Sequence, residues 1–261
     1  MRVLSCLALL ALLLAAPAQA GRLLDLQVVD RDSGQVLPTW SAGGRLYVAG
    51  TPGHRYAVRL SNRSGARVLA VLSIDGVNAV SGETADTDQA GYVLDPWQTT
   101  DITGWRKSVG DVAQFNFTAL PDSYAARTGR PDNVGVIGVA VFTERVPAWR
   151  KRVQMDASQA PVPAPPAEME RADAASAGAA AAKTQALAQR EERLGTGHGA
   201  REDSPVTMVR FERASRHPAE SLAIWYDSLA NLVARGIVPA EPVAGIPQPF
   251  PGHFVPDPPS R

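Results

Sequence analysis

Between Arg22 and Arg152 the apolar residues recur at every second position in short runs, and each run ends in a turn cluster. Successive side chains on an extended backbone point to opposite faces, so this period is that of a half-buried strand. Leu24, Leu26 and Val28 follow it, as do Tyr56, Val58 and Leu60. The turn Asn62-Arg63-Ser64-Gly65 precedes a further run from Arg67 to Asp75, and the two runs predict a hairpin. Val112, Phe115 and Phe117 mark another strand. Val134 to Phe142 is almost wholly apolar and β-branched, the composition of a strand covered on both faces. Asp122 to Arg127 is the one helical candidate in this region, with Asp122 as its cap. Short strands with frequent turns predict a mainly β chain in which residues 21–153 form an antiparallel β-sandwich.

The N-terminus predicts export. Arg2 precedes an apolar run from Val3 to Ala16, Pro17 breaks it, and Ala18-Gln19-Ala20 sets small residues where a signal peptidase cuts. The run is too short for a membrane span, which takes roughly 20 residues. Residues 1–20 therefore read as a cleaved signal peptide and the mature chain as periplasmic or extracellular. Cys6 is the single cysteine and lies before the cleavage point. Its loss excludes disulfides, thiolate metal sites and cysteine nucleophiles from the mature chain. Basic and acidic residues balance at 26 each, so no overall basic field exists to draw in nucleic acid. No second apolar stretch reaches spanning length.

After residue 153 the composition changes. Residues 154–200 read as a Pro/Ala-rich linker with a helical stretch from Ala167 to Leu194, punctuated by proline before it and Gly195 after it. Residues 201–238 read as a small β-β-α unit. Its strands are Val206–Phe211 and Leu222–Tyr226, and its helix runs from Ser228 to Arg235, with Asp227 as cap and Gly236 as terminator. One longer helix from Pro218 through Leu222, Trp225, Leu229 and Leu232 fits the same residues. Residues 239–261 carry eight prolines and read as an extended tail.

The chemistry-bearing residues fall in two places. Tyr92, Trp97 and Trp105 lie in one loop-rich region, interleaved with Asp101 and Arg106. Aromatic rings beside charged hydrogen-bonding groups can stack on sugars or grip a peptide; the alternative is that Trp105 plugs one end of the β domain. In Gly195-Thr-Gly-His-Gly-Ala-Arg-Glu202 three glycines surround His198. They could let a backbone approach a ligand, with His198 as a metal ligand or an acid–base group, or they could form a flexible connector. The histidines lack the spacing of a shared metal site. Asp86 to Gly91 begins like a calcium loop, but Ala90 and Trp97 occupy positions that need oxygen ligands. No Gly-x-Ser-x-Gly elbow occurs. No metal or cofactor is expected.

Ser73 to Asn78, Gly91 to Leu94, Ile102 to Arg106, Val112 to Phe115, Asp122 to Ala126, Asn133 to Phe142, Leu194 to Gly199, Phe211 to Ser215 and Tyr226 to Ser228 resemble segments of an uncharacterised family of exported proteobacterial proteins. The resemblance implies a periplasmic or surface location and carries over no catalytic residue. The expected role is that of a non-enzymatic envelope protein, a protein-interaction or assembly module whose partner is another envelope protein or a second copy. A carbohydrate-binding module acting through the Trp97 to Arg106 loops is the alternative, and a hydrolase using His198 a further one.

Overall fold

β-Branched and aromatic residues fill the alternating runs because such side chains pack well on a pleated surface. The computed structural model of the chain describes residues 21–146 and 193–239, and over these it is mainly β. One sheet has the order β1 (Leu24–Asp30), β4 (Arg55–Asn62), β10 (Asp111–Ala119) and β12 (Leu194–Asp203). β8 (Thr99–Ile102) adds to β4, and β9 (Gly104–Arg106) adds to β10. The other sheet runs β2 (Thr39–Ala42), β3 (Arg45–Gly50), β13 (Glu220–Ser228), β11 (Val136–Thr143), β5 (Val68–Ile74) and β6 (Val77–Asn78), with β7 (Tyr92–Leu94) on β5. All pairings are antiparallel except β13 with β3, which is parallel.

The inner residues of both sheets meet in one apolar cluster. Leu26, Val28, Val58, Leu60, Phe115 and Phe117 come from the first sheet; Val48, Leu72, Ile137, Val139, Leu222 and Ile224 come from the second. Tyr56 and Phe117 of the first sheet reach Tyr226 of the second, with ring centroids 6.4 and 5.5 Å apart. Each fully buried side chain of this size contributes about 1.5–3 kcal/mol. β11 is covered on both faces, as its composition predicts: Ile137, Val139 and Val141 face the main cluster, while Ala140 and Phe142 join Leu69 and Val71 on the other side.

Three local expectations are corrected. The runs on either side of Asn62-Arg63-Ser64-Gly65 are strands, but they do not form a hairpin. β4 pairs in one sheet and β5 in the other, so the turn carries the chain between sheets. Asn62 fixes that crossing: its amide nitrogen donates to the carbonyls of Ala66 and Asp95 at 2.8 Å each, and its oxygen accepts from Ser64 N–H at 2.9 Å. Residues 201–238 do not make a separate β-β-α unit. β13 lies between β3 and β11, where its Leu222, Ile224 and Tyr226 supply the core. The expected strand at Val206–Phe211 has no strand pairing.

The linker expected over 154–200 ends earlier, because Leu194–Asp203 is β12. Its helical stretch lies outside the described residues, apart from Arg193 and Leu194, as do the signal peptide and nearly all of the tail. The two short helices form as predicted but with different caps. Ser123 caps α1 (Tyr124–Arg127) and Ser228 caps α2 (Leu229–Ala234), each hydroxyl accepting from the backbone N–H three residues on. Among the described residues no helix is long and apolar enough to cross a membrane.

Candidate functional site

The string around His198 is neither a loop site nor a connector. It is the first half of β12, paired with β10 from Ala119 to Phe115. Its glycines alternate because one face of the strand is crowded. A Cβ at Gly195 would lie 2.7 Å from the Ser123 Cβ and 2.8 Å from the Val134 Cγ1, and one at Gly197 would meet the Asn116 amide at 2.8 Å. Thr196 points the other way, into the core. His198 is exposed and stacks at 6.3 Å on Trp105. Burial depresses its pKa first, and the charges of Lys107, Arg201 and Arg127 add to this. No described carboxylate or serine is hydrogen-bonded to its ring, which lies against Trp105 and Tyr124 instead.

The loop residues separate. Trp105 is 2% exposed and belongs to the core, its ring edge-on to Phe115 at 4.8 Å, so it is not presented to a ligand. Trp97 is 68% exposed and holds a backbone φ of 62°, unusual for a bulky residue. Asp101 is engaged by both ends of the Arg59 guanidinium at 2.7 and 2.8 Å, across the β4–β8 pair. Tyr92 and Arg106 alone come together, on the wall of a cleft of about 980 Å³.

That cleft lies under the strap Ser204–Phe211. Arg106 ties one end, donating to the Ser204 carbonyl and, at 3.0 Å, to its hydroxyl. Arg67 ties the other, donating to the Arg210 carbonyl at 3.2 Å while pairing with Glu144 at 2.8 Å. Inside, the Tyr92 hydroxyl and the Arg106 Nε are buried without hydrogen-bond partners. Burial pushes the Tyr92 hydroxyl pKa up, and the nearby Arg106 guanidinium opposes this. Val109, Val206, Met208 and Val209 border the cleft and are 59%, 40%, 86% and 55% exposed. An apolar cleft of this size with a few placed polar groups is the usual form of a binding site. Sequence reasoning missed the strap because Val206–Phe211 has the composition of a strand, and only the pairing partner is lacking.

Two further clusters were not legible in the sequence. Asp30, Asp32 and His54 bring three possible metal ligands within 4.8 Å of one another. Those oxygens are already used: Asp30 accepts from the N–H groups of Asp32 and Ser33 and meets His54 Nδ1 at 2.7 Å, and Asp32 binds Arg55. Burial raises the Asp30 pKa, but these hydrogen bonds and His54 outweigh it and the net shift is downward. The Asp86 to Gly91 loop likewise has a cation in place: Arg213 donates to the carbonyls of Thr87 and Gln89 at 2.7 and 2.6 Å.

The second cluster is wholly internal. Asp75, at a φ of 54° in the turn between β5 and β6, is completely buried. Its Oδ1 accepts from Gly135 N–H at 2.9 Å and the Tyr226 hydroxyl at 2.6 Å; its Oδ2 accepts from Thr196 N–H at 2.8 Å. Tyr226 spends its one proton on Asp75, so Thr196 must donate to Tyr226 at 2.6 Å and Tyr56 to Thr196 at 2.7 Å. Burial pushes the Asp75 pKa up from 3.8 to about 6 against these donors. A carboxylate so perturbed can signal acid–base chemistry. Here Asp75, Thr196, Tyr56 and Tyr226 are each at most 3% exposed, and the relay ties both sheets to one turn. Compared with protein-family models, curated proteins and solved structures, the chain gives no match.

Proposed function

We propose that the chain is an exported, non-enzymatic cell-envelope protein that docks an extended segment of a partner protein in the cleft beneath Ser204–Phe211. Its two sheets serve as a β-sandwich scaffold, and the strap and the Gly91–Val109 region form the docking surface. The observation that carries this reading is the concentration of exposed apolar side chains. Of the eight large hydrophobic residues exposed among the described residues, four border this one cleft. Apolar patches rimmed by polar groups mark interaction sites, and Arg67, Asp95, Gln98 and Arg106 supply the rim. A strap with strand-forming residues and no strand partner also offers backbone groups to an incoming extended chain.

The test places a photo-crosslinker at Val109, on the opposite wall of the cleft, in the periplasm and compares the chain carrying Met208 with the one carrying Met208→Glu. A discrete partner adduct that the Glu variant reduces tenfold or more, about 1.4 kcal/mol of binding, is the expected result. An adduct pattern indifferent to the substitution would remove the cleft as the docking site. The exposed indole of Trp97 supports a second reading, in which the same end of the molecule binds a glycan by ring stacking.

Export is supported by the tripartite N-terminus and by the resemblance to exported proteins. The protein recovered from the periplasm should begin at Gly21 by mass spectrometry. An intact Met1 would show that the leader is not processed.

A further inference from the structure

A second hollow, of about 500 Å³, opens on the far side of the sheet where β3 and β13 run parallel. Tyr47 and Trp225 are opposite one another in that register, their ring centroids 6.3 Å apart. Arg45 holds its guanidinium 5.0 Å over Trp225, and Arg235 holds its own 5.4 Å from Tyr47. Arg193 borders the same hollow and gives one N–H to the Val134 carbonyl at 2.6 Å. Against these three cations stands one carboxylate. Asp227 is 4% exposed; its Oδ1 accepts from the N–H groups of Leu194 and Ser228, and its Oδ2 is 3.5 Å from Arg235.

The balance of charge is unusual for a chain with equal numbers of acidic and basic residues. No described carboxylate pairs with Arg45 or Arg193. Like charges around one hollow repel, and the aromatic faces offset only part of that through cation–π attraction. The same stacking restrains two guanidinium planes. A restrained guanidinium presents a fork of N–H donors that matches the oxygens of a carboxylate or phosphate.

We propose that this hollow binds a small multiply charged anion, one bearing two or more carboxylate or phosphate groups, through Arg45, Arg193 and Arg235. The site is independent of the partner cleft, from which it shares no residue. Its size suits a small molecule. Asp227, already saturated at Oδ1, fixes Arg235 and Asn231 at the base and orients the wall.

Citrate and pyrophosphate are the probes, with acetate as the singly charged control, titrated calorimetrically into the full mature chain at low ionic strength. At least one of the two should bind, and acetate should bind at least tenfold more weakly. Arg45→Gln and Arg193→Gln should each weaken binding by about tenfold, the scale of one lost charge-assisted contact. Arg63→Gln, an exposed arginine elsewhere, should leave it unchanged. Thermal melts of each variant check that the fold is kept. Citrate binding alone identifies a carboxylate ligand, and pyrophosphate binding alone a phosphate one. Absence of binding by both, equal binding of acetate, or unchanged affinity in folded Arg45→Gln and Arg193→Gln would overturn the proposal.

Discussion

Replacing Asp75 with alanine is expected to destabilise the folded chain by about 3–5 kcal/mol, because it strands three buried donors at once. Gly135 N–H, Thr196 N–H and the Tyr226 hydroxyl all point at this carboxylate, and they come from the β11 entry, β12 and β13. Each buried donor left without a partner costs about 1–3 kcal/mol. Alanine also tolerates the backbone φ of 54° less well than the aspartate it replaces. Urea denaturation measures the loss; a change under about 1 kcal/mol would mean the relay is not what joins the sheets.

The same carboxylate gives a pH dependence with a defined sign. Its folded pKa, about 6, lies above its ordinary 3.8, so the folded state holds the proton more tightly than the unfolded state. The stability this contributes is fully present below about pH 4 and is lost as pH rises through 6, in total about 3 kcal/mol. Asp30 and Glu202 act in the opposite sense: burial raises each, but hydrogen bonds outweigh it and both are held low. Their contribution is present above the ordinary carboxylate range and fades as pH falls below it. Between pH 5 and 7.5 His198, held below its ordinary value by burial, acts against Asp75, but the larger Asp75 shift dominates and the melting temperature of the wild type should fall. In Asp75→Asn, where the amide oxygen keeps two donors and the NH2 confronts Thr196 N–H, that slope should vanish. A wild-type melting temperature that climbs over this interval would contradict the assignment.

Trp105→Ala is expected to cost about 3–5 kcal/mol, whereas Trp97→Ala should change stability by no more than about 0.5 kcal/mol. Trp105 is enclosed by Phe115 and Tyr124, with ring centroids 4.8 and 4.9 Å away, and its removal leaves a cavity the two sheets cannot close. Its buried indole N–H has no partner, so Trp105→Phe, which removes that group and keeps most of the ring, should lose much less. Trp97 has most of its surface in water and a left-handed backbone. Trp97→Gly should therefore stabilise by up to about 1 kcal/mol, since glycine adopts that φ without strain. Thermal and urea melts of the four variants decide the matter. Equal losses at the two tryptophans would mean that both are core.

What the sequence by itself determined is local: where the chain is extended, where it turns and where it is apolar on both faces. Alternation is a property of neighbouring residues, so β1, β4, β11 and β13 could be placed from it, and Ser228 to Arg235 could be placed as a helix. Pairing depends on residues far apart, and there the same patterns misled. The run after Asn62 looks like the return arm of a hairpin, yet an apolar face on β5 is satisfied equally well by the opposite sheet. Val206–Phe211 has strand composition, but no described strand pairs with it, and a strand is made by its partner. The two tryptophans of one loop are indistinguishable in sequence; the β9–β10 pairing turns one inward and leaves the other in water. The glycines around His198 look like a ligand loop until β12 packs against Ser123, Val134 and Asn116 and gives each a crowded neighbour. The Asp75 relay and the arginine hollow gather residues from across the chain. Only the tertiary structure brings those residues together, because charge and burial act through space while the pattern in a sequence acts along the chain.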